Sequence, residues 1–355
     1  MENRLRVPAQ VGADHQIGLA SRKSSIDGHD QILAIDGLTV EFPARSGAML
    51  ACSDMSFSVG RGEIVGLVGE SGSGKSVAAL SVLRLTPPPG RLIGGHVRFE
   101  GRDLSSLTRR EMLRLRGKRI GFVSQTPRAS LNPALRIRDQ ITAMLRACDP
   151  GFRRPDASSR IRALLAPLGF PDPDRVAESF PHQLSGGMCQ RVAIALALAG
   201  EPSLLIADEP TTALDVAVQA DILLLLRRLN RERGLSILLV THDLSVVRAL
   251  AHRVVVVYGG QVQETGPTDA VLTQPAHPYT RALLAAFPDP EQPPRRLIQL
   301  PGQVEAWSPT HPGCRLANRC VEAIERCATE RPRAHAVAHG GRARCHLVAK
   351  HSDVQ

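Results

Sequence analysis

The stretch Gly69-Glu70-Ser71-Gly72-Ser73-Gly74-Lys75-Ser76 has residue types at a spacing that can do chemistry. It reads G-x-x-x-x-G-K-S, and its surroundings give the pattern meaning. Glu63–Val68 reads as a short buried strand before it, and Val77–Leu85 as a helix rich in Ala, Leu and Val after it. Glycines let the backbone wrap an anion where a Cβ would block the approach. The loop N–H groups and the helix N-terminus then face phosphates. Lys75 would reach the β- and γ-phosphates, and Ser76 would ligate Mg²⁺.

Other segments end where they could serve the same chemistry. Ser203–Ala207 is an apolar strand that ends in Asp208 and Glu209. In a parallel sheet such a strand delivers its C-terminal residues to the ligand crevice. Asp208 would hold Mg²⁺ through its shell, and Glu209 could polarise a water for attack on the γ-phosphate. Ser236–Thr241 is the next strand, and it brings His242 to the same rim as a γ-phosphate contact. Lys118–Ser124 is another buried strand and ends at Gln125. In Leu184–Arg191, Ser185-Gly186-Gly187 would cap a helix over Met188–Ala199 and turn its N–H groups toward an anion. Phe42 lies at a suitable distance upstream to stack on an adenine ring, or is an ordinary core side chain.

The elements that must position these groups alternate between strand and helix. Residues 1–30 are polar and aperiodic and read as a loose tail. Strand patterns run over Ile32–Ile35, Leu38–Phe42 and Met49–Val59, with a turn at Pro43–Gly47. Pro87-Pro88-Pro89-Gly90 stops the first helix, Gly94–Gly101 reads as a strand and Leu104–Leu115 as a basic amphipathic helix. From Thr126 to about Phe180 the chain turns helical, as an insertion within an α/β domain. Ala213-Leu214-Asp215 opens a helix that ends near Gly234, and Arg253–Tyr258 with Gln261–Glu264 forms a hairpin.

The chain has 355 residues, enough for a sizeable core, and a formal charge of +10. The arginines are scattered, and only one Trp and two Tyr are present, so no stacking platform for single-stranded nucleic acid is visible. The charge reads as a solvated surface, and no nucleic-acid partner is expected. Met1–Ser25 lacks the apolar core of a signal peptide, and no stretch approaches the ~20 apolar residues that span a bilayer. A cytoplasmic location follows, alone or docked on a membrane partner.

These pieces in this order resemble the ATP-binding subunits of ABC transporters over roughly residues 31–350. Gly69–Ser76 is similar to Walker A, Gln125 to the Q-loop glutamine, Leu184–Gln190 to the LSGGQ signature, Leu204–Glu209 to Walker B, Ala213–Asp215 to the D-loop and His242 to the switch histidine. Gly69–Ser76, Ser130–Pro133, His277–Thr280 and an extension from Pro301-Gly302 resemble the oligopeptide/dipeptide/nickel importer subgroup.

The resemblance implies a P-loop ATPase core with an antiparallel β subdomain, a helical insertion over about 126–183 and a C-terminal extension over 271–355. It implies ATP and Mg²⁺ as ligands. Gln125 joins Ser76 and Asp208 around the metal, and Glu209, His242, Lys75 and Gln125 form the catalytic set. The nucleotide contacts run through Phe42, Gly69, Ser71–Val77, Gln125, Asp208 and, from a second subunit, Ser185, Gly186, Gly187, Gln190 and Asp215. Two ATPase subunits, alike or different, would power two transmembrane permeases at the cytoplasmic face of the inner membrane, fed by a solute-binding protein. The cargo would be a short peptide, with nickel or another small solute as the alternative. A soluble ATPase acting on ribosomes or nucleic acid fits less well, because such proteins usually carry two cassettes or a long coiled-coil insert. One position departs from the subgroup: Cys189 stands where Arg or Lys is usual, which bears on the strength of the contact across the dimer and not on its existence, since Ser185-Gly186-Gly187 is intact.

Four of the seven cysteines fall late, at Cys314, Cys320, Cys327 and Cys345. They could take zinc, hold an iron–sulfur cluster or stay as free thiols. The subgroup resemblance implies a [4Fe–4S] cluster with a structural role. Cys52 and Cys148 read as packing residues.

Overall fold

The computed structural model describes residues 30–44, 47–212, 214–286, 300, 302–305 and 307–348. Most of the tail read over residues 1–30 therefore lies outside the described residues, as do Ala213 of the D-loop-like turn, Arg45 and Ser46 of the first turn and Pro301 of the extension.

Two long strands open the fold, β1 (Gln31–Ala44) and β2 (Gly47–Gly60), paired antiparallel. β3 (Ile64–Val68), buried at every residue, leads into the glycine-rich loop and α1 (Lys75–Val82). β4 (Arg91–Phe99) and β5 (Arg102–Asp103) complete an antiparallel sheet of order β2-β1-β4-β5. The helix expected over Leu104–Leu115 is two pieces, a 3-10 turn at Leu104–Ser106 and α2 (Arg109–Leu115). The break has a local cause. Thr108 and Glu111 form a reciprocal capping box that starts a new helix.

β6 (Ile120–Val123) is followed by the helical stretch: α3 (Pro127–Ser130), α4 (Ile137–Cys148), α5 (Ala157–Leu165), α6 (Pro173–Glu178) and α7 (Gly186–Leu198). Then come β7 (Leu204–Asp208), α8 (Val216–Arg233), β8 (Ser236–Thr241), α9 (Leu244–Leu250), β9 (Arg253–Tyr258) and β10 (Gln261–Pro267). The chain closes with α10 (Thr268–Thr273), α11 (Pro278–Ala286), α12 (Arg326–Thr329), β11 (Ala334–Ala336) and β12 (Arg342–Arg344).

The second sheet has the order β11-β12-β10-β9-β3-β8-β7-β6, parallel from β9 to β6. Its central strands are apolar on both faces because both faces are covered. Leu204, Ile206, Leu238 and Val240 pack with the β1–β2–β4 sheet and α1, whereas Leu205, Ala207, Ile237 and Leu239 pack with the helical stretch. A third core joins β9 to α10, α11 and Leu316. The last two strands extend the same sheet through β10, so residues 334–344 are built onto the ATPase-like core rather than hung from it. The boundary read between residues 270 and 271 falls inside α10. Among the described residues, no helix is long and apolar enough to cross a membrane.

Candidate active site

The loop after β3 takes its shape from two glycines. Gly69 has φ +154°, and a Cβ there would sit 2.0 Å from the Val257 carbonyl oxygen. Gly74 has φ +98°, and a Cβ there would sit 2.1 Å from the Ala51 oxygen. Neighbouring backbone presses on the loop from two sides, and a side chain at either position has nowhere to go. Lys75 is buried, and its Nζ donates to the Gly69 and Glu70 carbonyl oxygens at 2.8 Å each. Burial pushes the ammonium pKa down, opposed by the carboxylates of Glu209, Asp208 and Glu70.

The strand ends meet as their spacing predicted. Ser76 Oγ donates to Asp208 Oδ1 at 3.1 Å, which joins the loop to the end of β7. Burial pushes the Asp208 carboxyl up, the Ser76 hydrogen bond pulls it down, and the neighbouring Glu209 charge leaves it raised overall. These two oxygen donors suit a hard divalent ion such as Mg²⁺.

Glu209 sits one residue past the strand with φ +49°, a left-handed backbone uncommon for a side chain of its size. Its N–H still donates to the Val240 oxygen at 2.8 Å, so the ladder ends abruptly and turns the carboxylate to the rim. There Gln125 Nε2 donates to Oε2 at 2.8 Å, Thr212 Oγ1 donates to Oε2 at 2.9 Å and His242 Nδ1 lies 3.1 Å from Oε1. Burial pushes this carboxyl up, but the hydrogen bonds from His242 and Thr212 and the charges of His242 and Lys75 outweigh it and hold it below the ordinary value. It is therefore ionised at neutral pH, as an acceptor of a water proton must be.

Among its recorded contacts Gln125 meets Glu209 rather than the expected Mg²⁺-side residues Ser76 and Asp208. Thr212 was not singled out in the sequence. A Thr three residues beyond a strand-end carboxylate was the available signal.

Other expected residues lie elsewhere. Ser185 caps α7, accepting from the Met188 N–H at 3.2 Å. The nearest side chains to Gly186 and Gly187 are Leu214 and Val218. Asp215 caps α8 by accepting from Val218 N–H at 2.9 Å, which moves the start of that helix to Val216. The Ser185 and Asp215 caps thus lie side by side. Gln190 is buried in α7. Val77 lies in the first turn of α1, which begins at Lys75 rather than Val77. Phe42 is half-buried on β1, its ring lying where a Gly90 Cβ would be.

Cys189 is fully buried, with its Sγ 3.5 Å from the Pro181 oxygen and the Arg128 guanidinium beside it. The side chain faces the interior of the helical stretch. Cys52 and Cys148 are buried as read.

The four late cysteines influence one another electrically. Burial pushes Cys314 up to about 11, with the charges of Cys327, Cys320 and Cys345 adding to the rise. Cys320 and Cys345 are raised the same way. Soft thiol donors suit zinc or iron–sulfur. Among the described residues, however, no three His, Cys, Asp or Glu side chains gather closely enough to hold a metal ion.

Fold and site together define a nucleotide hydrolase of the phosphate-loop class. The ABC transporter family profile matches residues 52–212, and the oligopeptide/dipeptide transporter C-terminal region profile matches residues 263–327. The chain is 43% identical to the dipeptide transport ATP-binding protein DppD of Escherichia coli (strain K12), over 89% of this chain and 96% of that protein. It is 40% identical to the oligopeptide transport ATP-binding protein AppD of Bacillus subtilis (strain 168), over 89% and 96%. Among solved structures, the ATP-binding cassette MJ0796, a dimer bound to ADP and Pi, superposes with a TM-score of 0.61 at 30% identity, covering 66% of this chain and 98% of that one. The chain belongs to the ATP-binding proteins of ABC transporters, in the group that carries the oligopeptide/dipeptide transporter C-terminal region. It is an ATPase.

Proposed function

We propose that this chain powers a binding-protein-dependent importer of di- or oligopeptides from the cytoplasmic face of the inner membrane. The observation that carries the catalytic reading is the Gln125–Glu209–His242 cluster, set one residue beyond the Ser76–Asp208 pair. The peptide cargo is taken from the names of the relatives. The chain would work with a second ATPase subunit, alike or different, two transmembrane permeases and a solute-binding protein.

Gly69 and Ser71–Val77 wrap the phosphates and Lys75 offsets their charge. Ser76 and Asp208 would hold Mg²⁺, which would supply positive charge beside the phosphate oxygens. Glu209 accepts the proton of the attacking water, His242 steadies the water and the γ-phosphate, and Gln125 reports the state of the site to the helical stretch. Phe42 faces the adenine. The neighbouring Ser185 and Asp215 caps would supply the contacts to nucleotide held by the second subunit. Gentle purification of a tagged chain from native membranes, with mass spectrometry of its companions, tests the assembly. Two polytopic permeases and an ATPase partner are expected, and recovery with ribosomes or nucleic acid would overturn the reading.

For Cys314, Cys320, Cys327 and Cys345 the proposal is a structural [4Fe–4S] cluster, with a shell wider than that of a single ion. The support is four soft donors in one region of the extension, Cys327 and Cys345 buried and Cys314 and Cys320 half-buried. Anaerobic purification should yield about four irons per chain, and Cys320→Ser should lose them. Protein isolated without iron would remove the cluster.

A further inference from the structure

The phosphate-binding loop is gripped from outside the core that forms it. Glu70 is its second residue. Arg319 donates from Nη1 to Glu70 Oε2 at 3.0 Å and from Nη2 to Oε1 at 3.4 Å. The same guanidinium donates to the Tyr258 hydroxyl at 3.2 Å and to the Gly302 oxygen at 3.3 Å, and its side chain is only 7% exposed. The Glu70 N–H donates to the Tyr279 hydroxyl at 3.0 Å. Tyr279 is itself buried against Tyr258, with ring centroids 4.8 Å apart. Both the side chain and the backbone of Glu70 are therefore held by residues C-terminal to the sheet core.

Glu70 is also the residue through which this grip reaches the chemistry. Its carbonyl oxygen accepts from Lys75 Nζ, and its carboxylate acts on the Lys75 charge. A carboxylate at the edge of a loop built for a polyanion repels that anion unless a cation offsets it. Among the described residues Arg319 is a cation in contact with it. Gly69, Glu70, Ser71, His242 and Arg319 all border one cavity of about 370 Å³ at the mouth of the loop. The one-turn segment Ala317–Arg319 is bracketed by two of the late cysteines. Ala317 N–H donates to the Cys314 oxygen at 3.1 Å, and Cys320 N–H donates to the Ala317 oxygen at 3.4 Å.

We propose that Arg319 is a positioning residue for nucleotide. By pairing with Glu70 it cancels a charge that opposes the triphosphate, and with Tyr279 it fixes the entry of the loop. The C-terminal extension thereby sets the affinity of the site for ATP. This inference rests on residues 69–76 being the ATP site.

The experiment is a charge-removal cycle in the full chain: Arg319→Ala, Glu70→Gln and the pair, each titrated with a fluorescent ATP analogue and assayed for turnover against ATP concentration. Arg319→Ala should weaken nucleotide binding about tenfold, within the usual range of coupling between distinct sites, and raise KM more than it lowers kcat. Glu70→Gln should bind at least as tightly as the native chain. In the pair, affinity should return to within about twofold of Glu70→Gln, because the charge needing compensation is gone. A merely bracing role predicts the opposite, with the pair as weak as Arg319→Ala, and that result overturns the proposal. Unchanged affinity in Arg319→Ala also overturns it. If Arg319→Ala does not fold, Arg319→Gln keeps the stem without the charge and carries the same expectation. A native chain that binds no nucleotide would instead reject the underlying assignment of the site.

Discussion

Glu209→Gln is expected to lower ATP turnover by a factor of about 10² to 10⁴, the usual contribution of a positioned general base, while ATP still binds. The separation of the two effects comes from the geometry. In the proposed site the phosphate and metal contacts fall to the loop and Asp208, and among the described residues none of the hydrogen bonds of Lys75, Ser76 and Asp208 passes through the Glu209 side chain. The amide keeps the length of the carboxylate and can still accept from Gln125 and Thr212. It cannot take a proton from water, and it removes a negative charge that would face the γ-phosphate. ATP should then accumulate uncleaved and hold two chains together. Size-exclusion chromatography with and without ATP, beside a phosphate-release assay, reads both effects. Turnover within threefold of the native chain would show that the base is another group.

The pH dependence of this site follows from the same neighbours. The hydrogen bonds and charges that hold the Glu209 carboxyl below its ordinary value keep it ionised well into acid. Asp208 is raised by burial, so of the two it takes up its proton first as pH falls. Acid loss of activity should therefore appear first as weaker Mg²⁺ binding, read as a rise in the Mg²⁺ concentration for half-maximal rate.

How much of this could be read from the chain depends on the range of the signal. The glycine-rich loop, the apolar run into Asp208-Glu209 and the strand before His242 are local patterns, and parallel strands necessarily bring their C-terminal ends to one rim. The sequence therefore located Ser76, Asp208, Glu209 and His242 before any coordinates. Helix ends were legible only to within a few residues. The Thr108–Glu111 capping box and the Asp215 cap decide them through single side chains that periodicity does not weigh. Contacts of long sequence separation were not legible. Arg319 and Glu70 are separated by 249 positions, and nothing local marks either as a partner of the other. Nor could the sequence say that Cys189 faces inward, since a helix packed against neighbours on several sides shows little periodicity.

Lys75→Ala should have the second large effect, and it should separate cleanly from the first. Among the described residues the ammonium bonds the loop from within, to Gly69 and Glu70. Asp208, Glu209 and Glu70 all act on its charge. Removing it leaves those carboxylates facing the triphosphate with less compensation, and takes a donor from the Gly69 oxygen, while the Glu70 oxygen keeps the Ser73 N–H. Loss of one preorganised charge-stabilising donor costs about 10² to 10³ in rate, and here the ground-state phosphates lose it as well. Binding and turnover should fall together, whereas Glu209→Gln loses turnover alone. Thermal unfolding gives the readout. Ligand at a hundred times its Kd stabilises a folded chain by about 2.7 kcal/mol, so ATP should raise the melting temperature of the native chain and of Glu209→Gln, and leave that of Lys75→Ala where it was. A Lys75→Ala chain that melts higher with ATP, to the same extent as the native one, would show that the phosphates are held without this ammonium. The affinity would then have to come from the loop N–H groups and the N-terminus of α1 alone.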